Sequence, residues 1–406
     1  MNTCSFIQPA VEESVDAILQ AALLKKEGKV KYVVVAGCLP QRYLQQELRD
    51  ALPEVDGFLG IDEITRIPEI IEKIIRNEKP YQVNLKPCFI YNEHSPRFIF
   101  SPGHYAYLKI AEGCNNTCSY CLIPHIKGTY RSRTVESVFN EAQNLIENYP
   151  LKEIILIAED TTYYGTDIYG KPSLVKLLQK LNQLKWPAEN RIRLLYTHPA
   201  HYNDELIDFL AENKRICPYL DLPIQHISDT VLQRMNRKVQ KNDIITLVKK
   251  LRKMIPGLTL RTTFIVGFPG ETEDDFEELC NFVQEFKFEK VGVFPYYNEP
   301  DCPAHKFPGQ ITQKVKKTRL DRLMKIQQKI TLKQQQDKVG KEIEVLIDGF
   351  SKKRHNLLIG RSCAEAPEID GDIIVSGGEK KDIGNWVKAK ITRAFPYHLE
   401  GEMLTK

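Results

Sequence analysis

The 406-residue sequence predicts an α/β protein in several parts, and three observations support that prediction. A chain of this length is too long for one compact core, so two or three domains are expected. Strands and helices alternate regularly from residue 105 onward, and after residue 341 short strands are separated by glycines. The expected parts are an incomplete open α/β sheet domain at 1–80, a linker at 81–104, a partial (β/α)6 barrel with a basic C-terminal helix at 105–338 and a small β-barrel at 339–406.

The bulk composition is that of an ordinary globular protein. Hydrophobic residues make up 42% and charged residues 27% of the chain, as in ordinary globular proteins. No run of about eighteen apolar residues exists, and the first residues lack a signal-peptide pattern, so we expect a cytoplasmic protein without membrane contact. Ten cysteines then fit metal or redox chemistry better than a disulfide framework.

The first eighty residues predict strands and helices in alternation. A β-branched run ends at Gly37, and a second strand is expected at 54–61 with a helix at 67–77. Cys4 and Cys38 then lie at or just past strand ends, where α/β sheets hold ligands. They could equally be small buried apolar residues, as most free cysteines are. The proline-rich stretch 78–104 is expected to be a linker, and Cys88 within it has no partner motif.

Six strands are expected in the central part of the chain. Their predicted positions are 105–111, 153–159, 191–197, 218–223, 258–266 and 290–296. Six such units predict a partial barrel, in which reactive groups follow the C-terminal ends of strands. The residues at these ends are Cys114, Glu159, Asp160, Thr161, His198, Gln225, His226, Gly267 and Glu271. Either histidine could instead cap a strand end, and Gly267 could simply form a turn.

The loop after the first of these strands has the strongest chemical signature. Cys114, Cys118 and Cys121 occur at i, i+4 and i+7, with the aromatic Tyr120 before the last cysteine. Soft thiolates at this density suit an iron–sulfur cluster or zinc, and His125 is the near candidate for a fourth ligand. Three thiolates on a four-iron cluster would leave one iron open to a small molecule. The spacing after a strand favours the cluster over a redox pair.

The C-terminal third combines a basic helix with a neutral barrel. Residues 312–338 predict a helix with nine basic residues, and its apolar side is expected to be Val315, Leu320, Leu323, Ile326, Ile330 and Leu332. Its basic side could be a solvated face or could contact RNA phosphates. Residues 341–406 contain eleven Lys and Arg and eleven Asp and Glu residues, which suits protein docking better than phosphate binding.

Several motifs together resemble the methylthiotransferase family of radical S-adenosylmethionine (SAM) enzymes. Besides the cysteine loop, they are residues 2–7 (Asn-Thr-Cys-Ser-Phe-Ile), 54–56 (Glu-Val-Asp), 219–226 (Tyr-Leu-Asp-Leu-Pro-Ile-Gln-His), 261–271 (Arg-Thr-Thr-Phe-Ile-Val-Gly-Phe-Pro-Gly-Glu) and 366–371 (Ala-Pro-Glu-Ile-Asp-Gly). The resemblance covers essentially the whole chain. It implies an N-terminal cluster-bearing domain, a radical SAM barrel and a terminal TRAM barrel, and the motifs are closest to members that modify ribosomal protein S-twelve.

The resemblance also implies cofactors and their ligands. Cys114, Cys118 and Cys121 would hold the catalytic 4Fe-4S cluster, and Cys4 and Cys38 would hold a second, auxiliary one. SAM would be contacted by Tyr120, Glu159, Asp160, Thr161, Gln225, Gly267 and Glu271. In the family a further auxiliary cysteine precedes the Asn-Thr-Cys element, and this sequence starts at that element. We therefore expect either a missing N-terminal segment or an auxiliary cluster that is absent or incomplete.

The implied reaction is radical chemistry at an unactivated carbon. A 5′-deoxyadenosyl radical from SAM would remove hydrogen from the β-carbon of an aspartate in ribosomal protein S-twelve, and a methylthio group would then be transferred. Implied partners are this protein, an electron donor such as flavodoxin or ferredoxin, and ribosomal RNA. Two alternatives stay open, a tRNA adenosine methylthiotransferase and a cluster-binding fragment that cleaves SAM without transferase activity.

Overall fold

A computed structural model describes residues 1–352, 354 and 357–404. The strands in this part of the chain are β1 (Asn2–Thr3), β2 (Val34–Gly37), β3 (Gly57–Leu59), β4 (Tyr81–Gln82), β5 (Tyr105–Lys109), β6 (Ala111–Glu112), β7 (Arg131–Ser132), β8 (Glu153–Ile157), β9 (Arg191–Leu194), β10 (Ile216–Asp221), β11 (Thr259–Val266), β12 (Lys290–Pro295), β13 (Glu342–Phe350), β14 (Leu358–Arg361), β15 (Ile373–Ser376), β16 (Trp386–Ala394) and β17 (Leu399–Met403).

Helices connect most of these strands. They are α1 (Gln8–Lys26), α2 (Cys38–Arg42), α3 (Gln45–Ala51), α4 (Ile67–Ile75), α5 (Ile123–Lys127), α6 (Val135–Asn148), α7 (Thr166–Tyr169), α8 (Leu174–Leu181), α9 (Asp204–Glu212), α10 (Asp229–Arg234), α11 (Lys241–Met254), α12 (Glu273–Phe286) and α13 (Gln313–Gln336). None of the described helices is long and apolar enough to cross a membrane.

The N-terminal residues form a parallel sheet in the order β1-β2-β3-β4, which confirms the predicted open α/β sheet. Ile18 of α1, Val35 of β2 and Phe58 of β3 are buried in its core. The predicted linker begins differently from expectation, because β4 adds to the sheet with Tyr81 opposite Phe58. A two-residue strand has too little sequence periodicity to be recognised in advance.

The central sheet has six strands, all parallel, in the order β12-β11-β10-β9-β8-β5. All six predicted strands are confirmed. Neighbours in space are also neighbours along the chain, as repeated βα units require. The C-terminal ends of the strands therefore lie along one edge, where the predicted polar residues follow them.

The C-terminal strands close into a five-stranded barrel in the order β13-β14-β15-β17-β16, as predicted. Its core includes Val345, Ile373 and Ile391. The segment after β14 packs on the central sheet, where Ala366 shares a buried cluster with Tyr105 and Tyr219. The barrel is therefore attached to the sheet through an apolar contact, to which buried ion pairs are added.

The basic helix α13 differs from the predicted amphipathic pattern. Val315 is exposed, whereas Lys316 and Arg319 are buried. Lys316 Nζ donates a hydrogen bond to the Tyr296 carbonyl at 2.7 Å, and Arg319 forms an ion pair with Glu271 at 2.7 Å. Long basic side chains can be buried when their polar ends are paired, so the apolar-face prediction was wrong at these positions.

Contacts divide the chain into two compact units. The first contains residues 1–91, 111–132 and 297–306, and the second contains 92–110, 133–296 and the residues from 307 onward. The cysteine loop thus belongs to the same compact unit as the N-terminal sheet, whereas the six-stranded sheet and the terminal barrel form the other. The domain boundaries expected from the sequence remain a prediction.

Candidate functional site

The cysteine loop, residues 114–121, lies between two short paired strands. β6 and β7 pair in antiparallel fashion, and the Cys114 N–H donates to the Gly128 carbonyl at 3.2 Å. These contacts close the loop at its base. Cys114 and Cys118 are each only 9% exposed, and Cys121 and Tyr120 are partly exposed. The fold therefore shelters the three thiols within one short segment.

The surroundings of these thiols fit an iron–sulfur cluster. The Asn116 N–H donates to Cys114 Sγ at 3.4 Å, and the Ile123 N–H donates to Cys121 Sγ at 3.5 Å. Hydrogen bonds of this kind are made to the sulfurs of iron–sulfur clusters. Burial raises the pKa of the Cys121 thiol, and the neighbouring Cys118 and Cys114 raise it further. A bound cation would reverse this trend by stabilising the thiolates. The three cysteines thus have the proximity and backbone environment that such a cluster needs.

Cys4 and Cys38 follow adjacent parallel strands in the same compact unit. Thr3 pairs with Gly37 across β1 and β2, so the two cysteines leave the sheet side by side. Gly37 has φ of 104°, and a Cβ there would lie 2.4 Å from Asn2 Oδ1, so this close approach requires glycine. Cys4 is exposed and Cys38 half-buried. Two thiols at neighbouring strand ends fit part of a cluster ligand set.

A further cysteine lies in this unit that the sequence did not indicate. Cys302 is buried in a small apolar cluster with Leu122 and Ile126, against which Cys38 also packs. Burial raises the pKa of its thiol to about 12. Cys302 follows the central strands by sequence and has no partner motif, so only the tertiary structure reveals this position.

The three predicted ligand-binding residues at the end of β8 differ in their exposure. Thr161 donates its hydroxyl to the Leu195 carbonyl at 2.9 Å, which joins the ends of β8 and β9. Asp160 is 2% exposed, and its Oδ1 accepts from the Thr162 hydroxyl at 2.6 Å. Glu159 is partly exposed. The structure thus gives Asp160 and Thr161 protein partners rather than open faces.

Asp160 also pairs with a histidine that sequence reasoning missed. His201 Nδ1 lies 2.7 Å from Asp160 Oδ2. Burial alone would raise the pKa of Asp160, but the hydrogen bonds and charge of His201 hold it below the usual value. Burial lowers the pKa of His198 to about 2, with Arg237 contributing, so this ring is neutral. The His198-x-x-His201 spacing after the third strand was the signal available in the sequence.

At the end of β10, two neighbouring residues have unsatisfied polar atoms. Gln225 has φ of 74°, and its Oε1 is buried without a hydrogen-bond partner among the described residues. His226 is fully buried, and its Nδ1 accepts from the Ser228 N–H at 3.0 Å. Burial lowers the pKa of His226 to about 3. A strained backbone beside an unpaired amide oxygen is typical of ligand sites.

After β11, Gly267 and Glu271 contact each other and two basic side chains of α13. A Cβ on Gly267 would lie 2.3 Å from Lys316 Cγ, so the space beside this glycine is filled by Lys316. Glu271 Oε2 accepts from the Gly267 N–H at 2.7 Å, and its Oε1 pairs with Arg319 at 2.7 Å. Burial outweighs these contacts and raises the pKa of Glu271 to about 7. Both residues therefore brace this turn.

Family comparisons agree with the three-part architecture. The chain matches the Radical SAM superfamily over residues 108–283, the TRAM domain over 339–404 and the Uncharacterized protein family UPF0004 over 1–60. These matches cover most of the central sheet, the terminal barrel and the first three strands of the N-terminal sheet in turn.

Two curated relatives are similar over nearly the whole chain. The "Ribosomal protein uS12 methylthiotransferase RimO" of Desulforamulus reducens is 44% identical over 99% of this chain and 90% of its own length. The protein of the same name from Trichlorobacter lovleyi is 46% identical over 100% of this chain and 89% of its own length. Among solved structures, the radical S-adenosylmethionine methyltransferase TsrM of Kitasatospora setae aligns with a TM-score of 0.50 at 15% identity, over 68% of this chain and 57% of that one, which indicates a shared fold.

Proposed function

Because this chain belongs to the RimO family of ribosomal protein uS12 (S-twelve) methylthiotransferases, we propose a role for each group of candidate residues in that reaction. The chain is a radical SAM methylthiotransferase that acts on ribosomal protein uS12. Its cofactors are SAM and 4Fe-4S clusters, including an auxiliary cluster. When bound, these groups supply a carbon-centred radical and the methylthio group.

The observation that carries the assignment is the sheltered cysteine loop. Cys114, Cys118 and Cys121 would hold the catalytic cluster, because they lie in one closed loop and the sulfurs of Cys114 and Cys121 accept backbone hydrogen bonds. Cys4 and Cys38 would supply two ligands of the auxiliary cluster, because the β1–β2 register places them side by side. The buried Cys114 and Cys118 would keep water from part of the catalytic cluster, whereas the exposed Cys4 leaves the auxiliary site more open to solvent.

SAM contacts are divided among the predicted residues by the exposure of their side chains. Tyr120, Glu159 and Gln225 are partly exposed, and Gln225 has an unpaired amide oxygen suited to a donor on a ligand. We assign these three as direct contacts. Asp160, Thr161 and Glu271 are buried, and Lys316 fills the space beside Gly267, so we assign these four residues the positioning of the strand ends.

The substrate carbon and the partners are finer parts of this proposal. The target would be the β-carbon of an aspartate, as the family resemblance implies, and removal of hydrogen from such an unactivated carbon requires a radical rather than an acid or base. The neutral terminal barrel is suited to bind the protein substrate. A flavodoxin or ferredoxin would donate the electron, and the reaction would occur in the cytoplasm, where ribosomes are made.

Iron counting and substrate mass test the central assignment. After anaerobic reconstitution, the Cys114→Ala/Cys118→Ala/Cys121→Ala variant should contain about four irons fewer per chain than the parent. It should add no methylthio mass to uS12. Cys88→Ala, which replaces an exposed cysteine outside both groups, should behave as the parent does.

The same experiment separates the alternatives. Methylthio mass on tRNA adenosine rather than on uS12 would support a tRNA-modifying enzyme. SAM cleavage with no modified substrate would indicate a cluster-binding fragment, and a parent that binds about four irons and loses them all in the triple variant would show that Cys4 and Cys38 hold no cluster.

Contact with ribosomal RNA is a second proposal, favoured by the exposed side of α13. Lys314, Lys325 and Lys329 are exposed and lie opposite the buried stripe of that helix. Phosphate contacts make binding salt-dependent. The Lys325→Glu/Lys329→Glu variant should bind ribosomal particles more weakly, with a log–log salt slope smaller by about 2.

A matched control for this surface is Lys171→Glu/Lys214→Glu, which reverses two exposed charges elsewhere in the same compact unit. An equal loss of binding in both variants would mean that net charge, and not the α13 surface, governs the interaction. Unchanged binding in both would exclude the RNA contact.

A further inference from the structure

Three polar side chains converge at the ends of β8 and β9. Asp160, His198 and His201 each offer a ligand atom, and these atoms all lie within 4.8 Å of one another. Asp160 and His198 are 2% and 7% exposed, so this is a largely buried group. From this geometry we propose that Asp160, His198 and His201 bind one divalent transition metal ion such as Zn²⁺ or Fe²⁺, separate from the iron–sulfur clusters.

Local structure holds the two histidines in a suitable arrangement. The 3-10 turn Pro199–His201 begins directly after His198. The two imidazole rings consequently stack, with centroids 4.8 Å apart and planes inclined at 29°. The ring of Tyr163 packs against His201, and the centroids of these two rings are 5.0 Å apart. Ring orientations fixed in this way reduce the entropy lost when a ligand binds.

The carboxylate is oriented by its own hydrogen bonds. Asp160 Oδ1 accepts from the Thr162 hydroxyl at 2.6 Å and from the Tyr163 N–H at 3.2 Å, which leaves Oδ2 directed at His201 Nδ1. Thr162 Oγ1 in turn accepts from the His198 N–H at 3.0 Å. These bonds link the segment after β8 to the segment after β9. Outer contacts of this kind orient the ligands in known metal sites.

The donor set selects the class of ion. Two imidazole nitrogens and one carboxylate oxygen favour Zn²⁺ or Fe²⁺ over Mg²⁺ or Ca²⁺, which prefer oxygen ligands. Binding would displace the proton between Asp160 Oδ2 and His201 Nδ1. Three protein ligands leave at least one coordination position for water or another small ligand. The ion would also fasten together two strand ends of the sheet.

Zinc titration of the full chain tests the site independently of catalysis. The anaerobically reconstituted protein is titrated with Zn²⁺ in a calorimeter, and the bound zinc is then studied by X-ray absorption. We expect one zinc per chain with nitrogen and oxygen neighbours only. His201→Asn should weaken zinc binding at least about tenfold, and Asp160→Asn should do the same while preserving the shape of the site.

His94→Asn is the matched control, because the side chain of His94 is 86% exposed and lies outside this group. It should bind zinc as the parent does. The iron content of each variant reports whether it has folded, so a loss of zinc with iron retained is specific to the site. Absence of zinc from the parent, sulfur neighbours, or undiminished affinity in both His201→Asn and Asp160→Asn would overturn the proposal.

Discussion

Two buried glutamates lie at opposite ends of the central strands, and their pKa values are shifted in opposite directions. Glu153 begins β8, where it forms ion pairs with Arg193 at 2.6 Å and with Arg361 of the terminal barrel. Burial would raise the pKa of Glu153, but the two guanidinium groups hold it below the usual value. Glu271 follows β11, has one arginine partner, and has a pKa raised by burial to about 7.

The difference indicates that the strand starts contribute mainly to stability and the strand ends mainly to function. At the strand starts, buried charges are paired across the interface between the sheet and the terminal barrel. At the strand ends, Gln225 and His226 retain unpaired polar atoms, and Gln225 and Tyr196 have positive φ. Unsatisfied groups are costly to bury, and they are tolerated where a ligand completes them. Ligand sites in parallel α/β folds occur at this same end.

The largest expected change in stability comes from removing Glu153, which pairs with two arginines at the start of β8. Glu153→Ala would leave two buried arginines without their shared partner, so the free energy of unfolding should fall by about 3–5 kcal/mol. Urea unfolding followed by circular dichroism measures the change. Glu344→Ala removes the exposed partner of Arg191 and should cost no more than about 1 kcal/mol. Equal losses in the two variants would mean that the buried cluster has no special role.

The pH dependence of stability should distinguish the other glutamate. The folded-state pKa of Glu271, about 7, exceeds its unfolded value of 4.5, so its contribution to stability is present at low pH and lost as the pH rises through about 7. The total change is about 3 kcal/mol. Glu271→Gln should remove it, as seen in urea midpoints measured between these pH values. Parallel pH profiles for parent and variant would show that folding does not shift the pKa of Glu271.

Two lysines on α13, one buried and one exposed, should likewise differ in their contribution to stability. Lys316 is 2% exposed and donates to the Tyr296 carbonyl, so Lys316→Ala should cost about 1–3 kcal/mol by leaving that carbonyl unpaired. Lys314 is exposed, and Lys314→Ala should change stability by less than about 0.5 kcal/mol. Thermal unfolding of the two variants provides the measurement, and matching shifts would contradict the burial of Lys316.

Substitution of Gln225 should change activity far more than stability. Glycine tolerates the φ of 74° without strain, so Gln225→Gly should leave stability unchanged or raise it by about 1 kcal/mol. The yield of methylthiolated uS12 should nevertheless fall at least about tenfold, a loss of about 1.4 kcal/mol in transition-state stabilisation. Mass spectrometry of uS12 measures the yield. Asn77→Gly, at a φ of 62° outside any candidate site, should not affect it.

Some of this protein could be predicted from residue patterns alone. The six central strands follow from runs of β-branched and apolar residues, and the cysteine loop follows from the spacing of Cys114, Cys118 and Cys121. These features are local in the sequence, so periodicity and spacing are sufficient to identify them. Motif spacing also indicated the family, which the curated relatives confirm.

The failures involve contacts between residues distant in the sequence. Helical periodicity assigned Val315 to the buried side of α13, but Glu271 and the Tyr296 carbonyl bring Arg319 and Lys316 inside instead. Lys316 also fills the space beside Gly267, a contact that no local pattern indicated. No local pattern encodes which distant group will pair with a charged side chain.

The sequence by itself determined the α/β architecture, the six central strands and the spacing of the three cysteines in the loop after β5, because each depends on residues close together in the chain. Only the tertiary structure decided that Asp160 faces His201, that Glu153 joins the central sheet to the terminal barrel, and that Cys302 lies beside Cys38. The energies of the two buried polar pairs depend on partners 41 and 208 positions away, which are chosen when the chain packs and excludes water.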